Sequence, residues 1–136
     1  MVWATTTAEN INKLTVLQKR IIRIACKVPY FFRTASLFHR RNVIPMKSMY
    51  NYRLCHKYIL AIMKNDDSLL TLAGLEQSRT VYDTRAAELW NVKKCRTNYG
   101  KRMLQHTLPT LLNQLYCHKN LDVSNISLKE LPQLFL

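Results

Sequence analysis

The chain has 136 residues, 48% of them apolar and 21% charged, with only 2 glycines and 4 prolines; this composition excludes disorder throughout and fits one compact domain or part of one. Lysine and arginine number 21 against 8 aspartates and glutamates, a net charge of +13 with a pI near 9.9, and a field of that sign favours polyanions, of which nucleic acid is the commonest. No run of about 18 apolar residues is present to span a membrane. No basic stretch leads into an apolar one as in a secretory signal, and Cys26, Cys55, Cys95 and Cys117 fall in no paired spacing. The expectation is an intracellular, reducing compartment with free thiols.

Thr6-Thr7-Ala8-Glu9 has the Thr-x-x-Glu spacing of a capping box, which starts a helix by satisfying its first amides. Over the next twenty residues Ile11, Leu14, Leu17, Ile21, Ile24, Ala25 and Val28 fall on one arc of a 3.6-residue helix, and Lys13, Lys19, Arg20, Arg23 and Lys27 on the other. Pro29 is expected to end this helix by restricting the residue before it. Tyr30-Phe31-Phe32 reads as an apolar hinge, followed by a short helix from Thr34 to Arg41. Pro45 suits the first turn of a third helix, from Met46 to Lys64, whose apolar residues lie on nearly every face. It is either buried on most sides or short of a partner. Asn65-Asp66-Asp67-Ser68 ends that helix and caps a short one from Leu69 to Ala73, closed by Gly74. Residues 75–99 have mixed periodicity and read as an irregular or extended connector. Helix resumes at Lys101 to His106 and again at Pro109 to Tyr116, and Ser127-Leu128-Lys129-Glu130 is a second capping box for a terminal helix towards Leu136.

Catalytic parts are missing. Asp66-Asp67 is the only aspartate pair, and it follows a helical segment, where capping is the stronger reading than divalent-metal chemistry. For zinc the chain offers Cys55-His56, Cys95, His106 and Cys117-His118, none in the close pairs that set tetrahedral geometry locally. Adjacent Cys55 and His56 point apart on a helix and do not make a nucleophile with its base. No glycine-rich phosphate loop, Gly-x-Ser-x-Gly or His-Glu-x-x-His occurs. Basic and aromatic residues interleave at Tyr30–Arg41 and at Trp90–Arg102, a pattern that neutralises phosphates while rings stack on unpaired bases. For the first cluster a core of aromatics with a basic rim is the stronger reading; for the second the two readings are balanced.

The order of short motifs resembles a known family. Leu14 followed by Leu17-Gln18-Lys19-Arg20-Ile21-Ile22-Arg23 is similar to the L-x-x-L-Q-K-R-x-x-R helix behind the polymerase core of non-LTR, LINE-type retrotransposon reverse transcriptases. Thr34-Ala35-Ser36-Leu37-Phe38 resembles that family's Thr-x-Pro-Leu-Phe, with Ser36 in place of proline, and Asn42-Val43-Ile44-Pro45-Met46 and Tyr50 to Tyr52 continue the order. Tyr82-Asp83-Thr84-Arg85, Thr97-Asn98-Tyr99-Gly100-Lys101-Arg102 and Leu108-Pro109-Thr110-Leu111-Leu112-Asn113 extend it, the last similar to a Pro-x-x-Trp-Asn element with Leu112 where tryptophan is common. Ser127-Leu128-Lys129 fits the tail, so the likeness runs from residue 12 to about 136. The resemblance implies a fragment from the C-terminal side of an RNA-directed DNA polymerase polyprotein. The palm aspartate pair and the endonuclease of that family have no counterpart in these residues.

Together these readings predict an all-α fold of five to seven short helices with an irregular connector in the middle, incomplete as a domain. Residues 1–74 carry the basic amphipathic helix and the buried helices, and 75–136 the basic connector and C-terminal helices. The expected function is RNA or DNA contact without catalysis, metal or cofactor. Lys13, Lys19, Arg20, Arg23 and Lys27 would form one patch, and Lys93, Lys94, Arg96, Tyr99, Lys101 and Arg102 another. The alternative is a helical protein-interaction module with no nucleic-acid role, docking through the apolar helix from Met46 to Lys64. A third reading is a core built to pack on an absent polymerase thumb, which folds only in part.

Overall fold

The computed structural model describes residues 8–78, 89–119 and 122–136, and among them the chain is all-α. Its five helices are α1 (Ala8–Ala25), α2 (Ala35–Arg40), α3 (Met46–Met63), α4 (Ser68–Ala73) and α5 (Leu104–Lys119), with short 3₁₀ turns at Gly100–Arg102 before α5 and at Val123–Asn125 and Leu131–Phe135 after it. Residues 75–78 and 89–99 are irregular apart from one antiparallel bridge between Gln77 and Trp90. Thr6 of the first capping box and the Asp83-Thr84-Arg85 element lie outside the described residues.

The first four helices end in the same way. At each C-terminus one residue adopts the left-handed conformation: Lys27 (φ 52°), Asn42 (φ 51°), Asn65 (φ 51°) and Gly74 (φ 55°). The amide of the residue after it then reaches back to a carbonyl five positions earlier: Val28 to Arg23 at 3.1 Å, Val43 to Phe38 at 3.0 Å, Asp66 to Ala61 at 2.8 Å and Leu75 to Leu70 at 3.5 Å. This is the Schellman arrangement, which satisfies the last carbonyls of a helix. Pro29 therefore lies beyond the end of α1; the helix stops at Lys27, a non-glycine residue in a conformation that L side chains adopt at a cost.

The chain forms two compact units, one of residues Met1–Arg53 and Lys129–Leu136, the other of Leu54–Leu128. In the first, Ile22, Leu37 and Phe38 form a small core with Cys26, Val28 and Val43 packed against it, and the Tyr52 and Phe135 rings meet edge to face at 6.1 Å. Gln18 fastens this unit. Its side-chain amide donates to the Ile44 carbonyl at 2.9 Å and its carbonyl accepts from the Met46 amide at 2.7 Å, so it straddles Pro45 and satisfies an otherwise unpaired amide at the start of α3. The Pro45 carbonyl accepts from Ser48 and Met49.

The arc of α1 that is buried differs from the expected one. Thr15 and Ile22 are buried, with Ile11, Gln18 and Cys26 half-buried, whereas Leu14, Leu17, Ile21 and Ile24 are exposed. That arc is the one that carries Ile22 onto Leu37 and Phe38 and sets Gln18 against the Ile44 and Met46 backbone, so the positions above and below them turn inward as well. Thr15 tolerates burial because its hydroxyl donates to the Ile11 carbonyl at 2.8 Å.

In the second unit Leu54, Cys55, Tyr58, Ile59 and Ala61 of α3, Ala73 of α4, Leu108, Leu111, Leu112 and Leu115 of α5, and Val123 are buried, and α4 packs on α5. Leu54, Cys55, Tyr58, Ile59 and Ala61 of α3 thus lie inside this unit's own core, while Met63 at the end of the helix is exposed. The helix expected to break before Pro109 is continuous: Pro109 lies within α5, buried. It removes one amide donor from the ladder, and its own burial holds it there. The expected terminal helix is a 3₁₀ turn that starts at Leu131 and not at Ser127, with Pro132 in its first positions. Asn113, buried on α5, accepts from the Trp90 amide at 2.9 Å and donates to the Trp90 carbonyl at 2.8 Å, so it holds the returning connector as Gln18 holds Pro45.

Candidate nucleic-acid interface

On α1 the cations Lys13, Lys19 and Arg20 are exposed, as is Lys27 just beyond the helix, and Arg23 is half-buried. The first turn holds Glu9, which pairs with Lys13 at 2.9 Å across one helical turn, a contact of small value in water. Arg23 is engaged by its own unit: Nε donates to the Phe32 carbonyl at 3.1 Å and the guanidinium lies 5.3 Å from the centre of the Tyr30 ring. It clips the turn after α1 to the helix through a hydrogen bond and a cation–π contact, leaving the other guanidinium donors for a phosphate.

The aromatic cluster after α1 divides. Phe38 is core, but Tyr30 and Phe31 are 75% and 86% exposed, so those two rings are not part of a core with a basic rim. The Phe32 amide donates to the Pro29 carbonyl, a tight turn that presents Tyr30 and Phe31 outward beside Arg23. Sequence reasoning had not placed them among the site residues; Pro29, which favours a turn, followed by three aromatics was the available signal.

The second patch lies wholly in the second unit. Lys93, Lys94, Arg96, Tyr99, Lys101 and Arg102 are all exposed. Thr97 closes the turn that carries Tyr99 and Lys101: its hydroxyl accepts from the Gly100 amide at 3.1 Å and its carbonyl from the Lys101 amide at 3.2 Å. Gly100 is tightly enclosed, since a side chain there would meet Cys95 and Thr97 at 3.2 Å. The Lys93 ammonium sits beside Gly74 at the carbonyl end of α4. The two patches belong to separate units, and each is a self-contained set of cations.

The acidic and thiol groups are occupied otherwise. Asp66 accepts from the Ser68 amide at 3.0 Å; hydrogen bonds from Ser68, and to a lesser degree the Lys64 charge, hold its carboxyl below the usual carboxylate range. Asp67 is the residue before α4 and makes no side-chain cap. Among the described residues no three His, Cys, Asp or Glu side chains converge as a metal site would require, and no helix is long and apolar enough to cross a membrane.

All four cysteines are free. Burial pushes the Cys55 thiol from its ordinary 9.0 up to about 12 and raises Tyr58 in the same direction, with Asp122 adding to the effect. Cys55 is expected to resist an aromatic disulfide reagent at pH 8 until denaturant is added, while exposed Cys117 reacts at once; peptide mapping of the labelled protein distinguishes them. Because the unfolded thiol ionises first, the stabilisation is complete below pH 9 and is lost as pH rises towards 12.

No protein-family model, no curated protein and no solved structure matches this chain.

Proposed function

We propose that this chain is a nucleic-acid contact module without catalysis of its own, corresponding to the region behind the polymerase core of a LINE-type reverse transcriptase. The observation that carries the reading is the arc of exposed cations on α1, where Lys13, Lys19 and Arg20 share one side of an 18-residue helix whose only acidic residue is Glu9. Such a row neutralises successive phosphates, and each neutralised phosphate releases counterions. Tyr30 and Phe31, exposed beside Arg23, add ring faces on which unpaired bases stack, which favours single-stranded RNA or DNA over a duplex. The patch from Lys93 to Arg102 supplies a second set of phosphate contacts. The motif order from Leu14 to Lys129 supports the assignment to the reverse-transcriptase region.

The test is the paired charge reversal Lys19→Glu with Arg20→Glu, which leaves the structural contacts of Arg23 in place. Affinity for a single-stranded RNA is expected to fall by at least roughly tenfold at moderate salt, and the slope of log affinity against log salt to shrink by about 1.4, at about 0.7 for each of two lost contacts. An unchanged affinity and slope, measured by fluorescence anisotropy across salt, would overturn the reading.

A further inference from the structure

The apolar side chains that α1 leaves in solvent are not scattered. Leu14, Leu17, Ile21 and Ile24 are 39%, 51%, 65% and 77% exposed, and they follow one another at intervals of three, four and three residues. That is the a/d spacing of a helix-pairing seam, with Leu14 and Ile21 at a and Leu17 and Ile24 at d. The seam runs about 15 Å along the helix at 1.5 Å per residue. In the same register Lys13 and Arg20 occupy the flanking g positions, and Lys27, next in the series, sits in the left-handed turn just beyond the helix. The opposite flank, at e, holds Gln18 and Ala25, and the Gln18 amide is already committed to Ile44 and Met46.

The charge on these flanks selects the occupant. A second copy paired antiparallel would set the basic g row against itself, and paired parallel it would set Lys13 and Arg20 against Gln18 and Ala25; neither offers a counter-charge, and a net charge of +13 opposes self-association further. We infer that the seam Leu14-Leu17-Ile21-Ile24 docks an amphipathic helix of another protein segment whose flanking positions carry aspartate or glutamate. This goes beyond the nucleic-acid reading, although Lys13 and Arg20 serve in both.

The experiment uses the full chain and three synthetic helices of four heptads. One has Leu and Ile at d and a with Glu at e and g, the second the same core with Lys at e and g, and the third the Glu flanks with Ser at a and d. By titration calorimetry the first is expected to bind with Kd of about 10 μM, the second and third at least roughly thirtyfold more weakly. Leu17→Ser with Ile21→Ser, both at exposed positions, should weaken binding of the first at least roughly tenfold without changing RNA affinity. Val16→Ser, equally exposed but off the seam, should leave it unchanged.

Equal binding of the first and third peptides would reduce the contact to charge alone and overturn the inference. So would no binding of any peptide, a dimer of the chain in sedimentation, or seam-dependent binding to vesicles containing phosphatidylserine in place of the peptide. Because RNA affinity is read on the same variants, loss of the seam and loss of the phosphate contacts are scored separately.

Discussion

Leu108→Ala is expected to destabilise the protein by about 3 to 5 kcal/mol, because it removes the branching carbon and both methyls of the side chain from a site with no solvent exposure and leaves a cavity that rigid neighbours fill only in part. Leu108 precedes Pro109, itself buried, on a face shared with Leu111, Leu112 and Leu115. The proline fixes the backbone there, so α5 relaxes poorly into the space, and the upper half of the range applies. Denaturant midpoints read the effect. Leu72→Ala on α4, where the side chain is 66% exposed, serves as the comparison and should stay within about 0.5 kcal/mol.

Asn113→Ala is expected to cost about 2 to 4 kcal/mol by a different route. The wild-type carboxamide answers both the amide and the carbonyl of Trp90; alanine strips both of their partner in a half-buried setting, and an unmet polar group of that kind costs about 1 to 3 kcal/mol. Asn113→Asp separates the two bonds. As a carboxylate it keeps the acceptor for the Trp90 amide and faces the Trp90 carbonyl with like polarity; as a carboxylic acid it can donate as well as accept. Its folded pKa is therefore raised, so the Asp variant should gain stability relative to wild type as pH falls through that pKa and lose it as pH rises, a profile that the alanine variant lacks.

Local signals in the sequence located most of the helices. Gly74, Asn65 and Asn42 mark ends that the chain does adopt, whereas the apolar saturation of Met46–Lys64 suggested burial on most sides and the helix buries one, with Leu54, Cys55, Tyr58, Ile59 and Ala61 inside and Lys47, Arg53, Lys57 and Met63 exposed. Periodicity erred where polar side chains do packing work. On α1 the visible apolar arc ran from Ile11 through Leu14 and Leu17 to Ile24, yet the packed positions include Thr15 and Gln18, whose partners are the Ile11 carbonyl one turn back and the backbone 26 to 28 residues away. A polar residue satisfied by distant backbone has no local signature. Pro109 misled for the complementary reason, since proline is read as a break by its missing amide and not by what its ring buries. The exposed cations were legible because charge rarely goes inside; the exposure of Tyr30 and Phe31 was not, because rings serve cores and surfaces alike.

The helix stops and the two carboxamide clasps differ in how far along the chain they reach, and this sets an order of assembly. Each left-handed stop closes within six residues, so α1 to α4 can limit their own lengths before any distant part of the chain arrives. The clasps join positions 26 and 23 residues apart, and closing a flexible loop of that size costs about 3 kcal/mol in chain entropy. Two hydrogen bonds worth about 1 kcal/mol each do not meet that cost alone. Gln18 and Asn113 therefore engage only when the apolar surfaces around them collapse in the same step, which makes each clasp a late, all-or-none reporter of its own unit and leaves the helices themselves as the early, low-contact-order events.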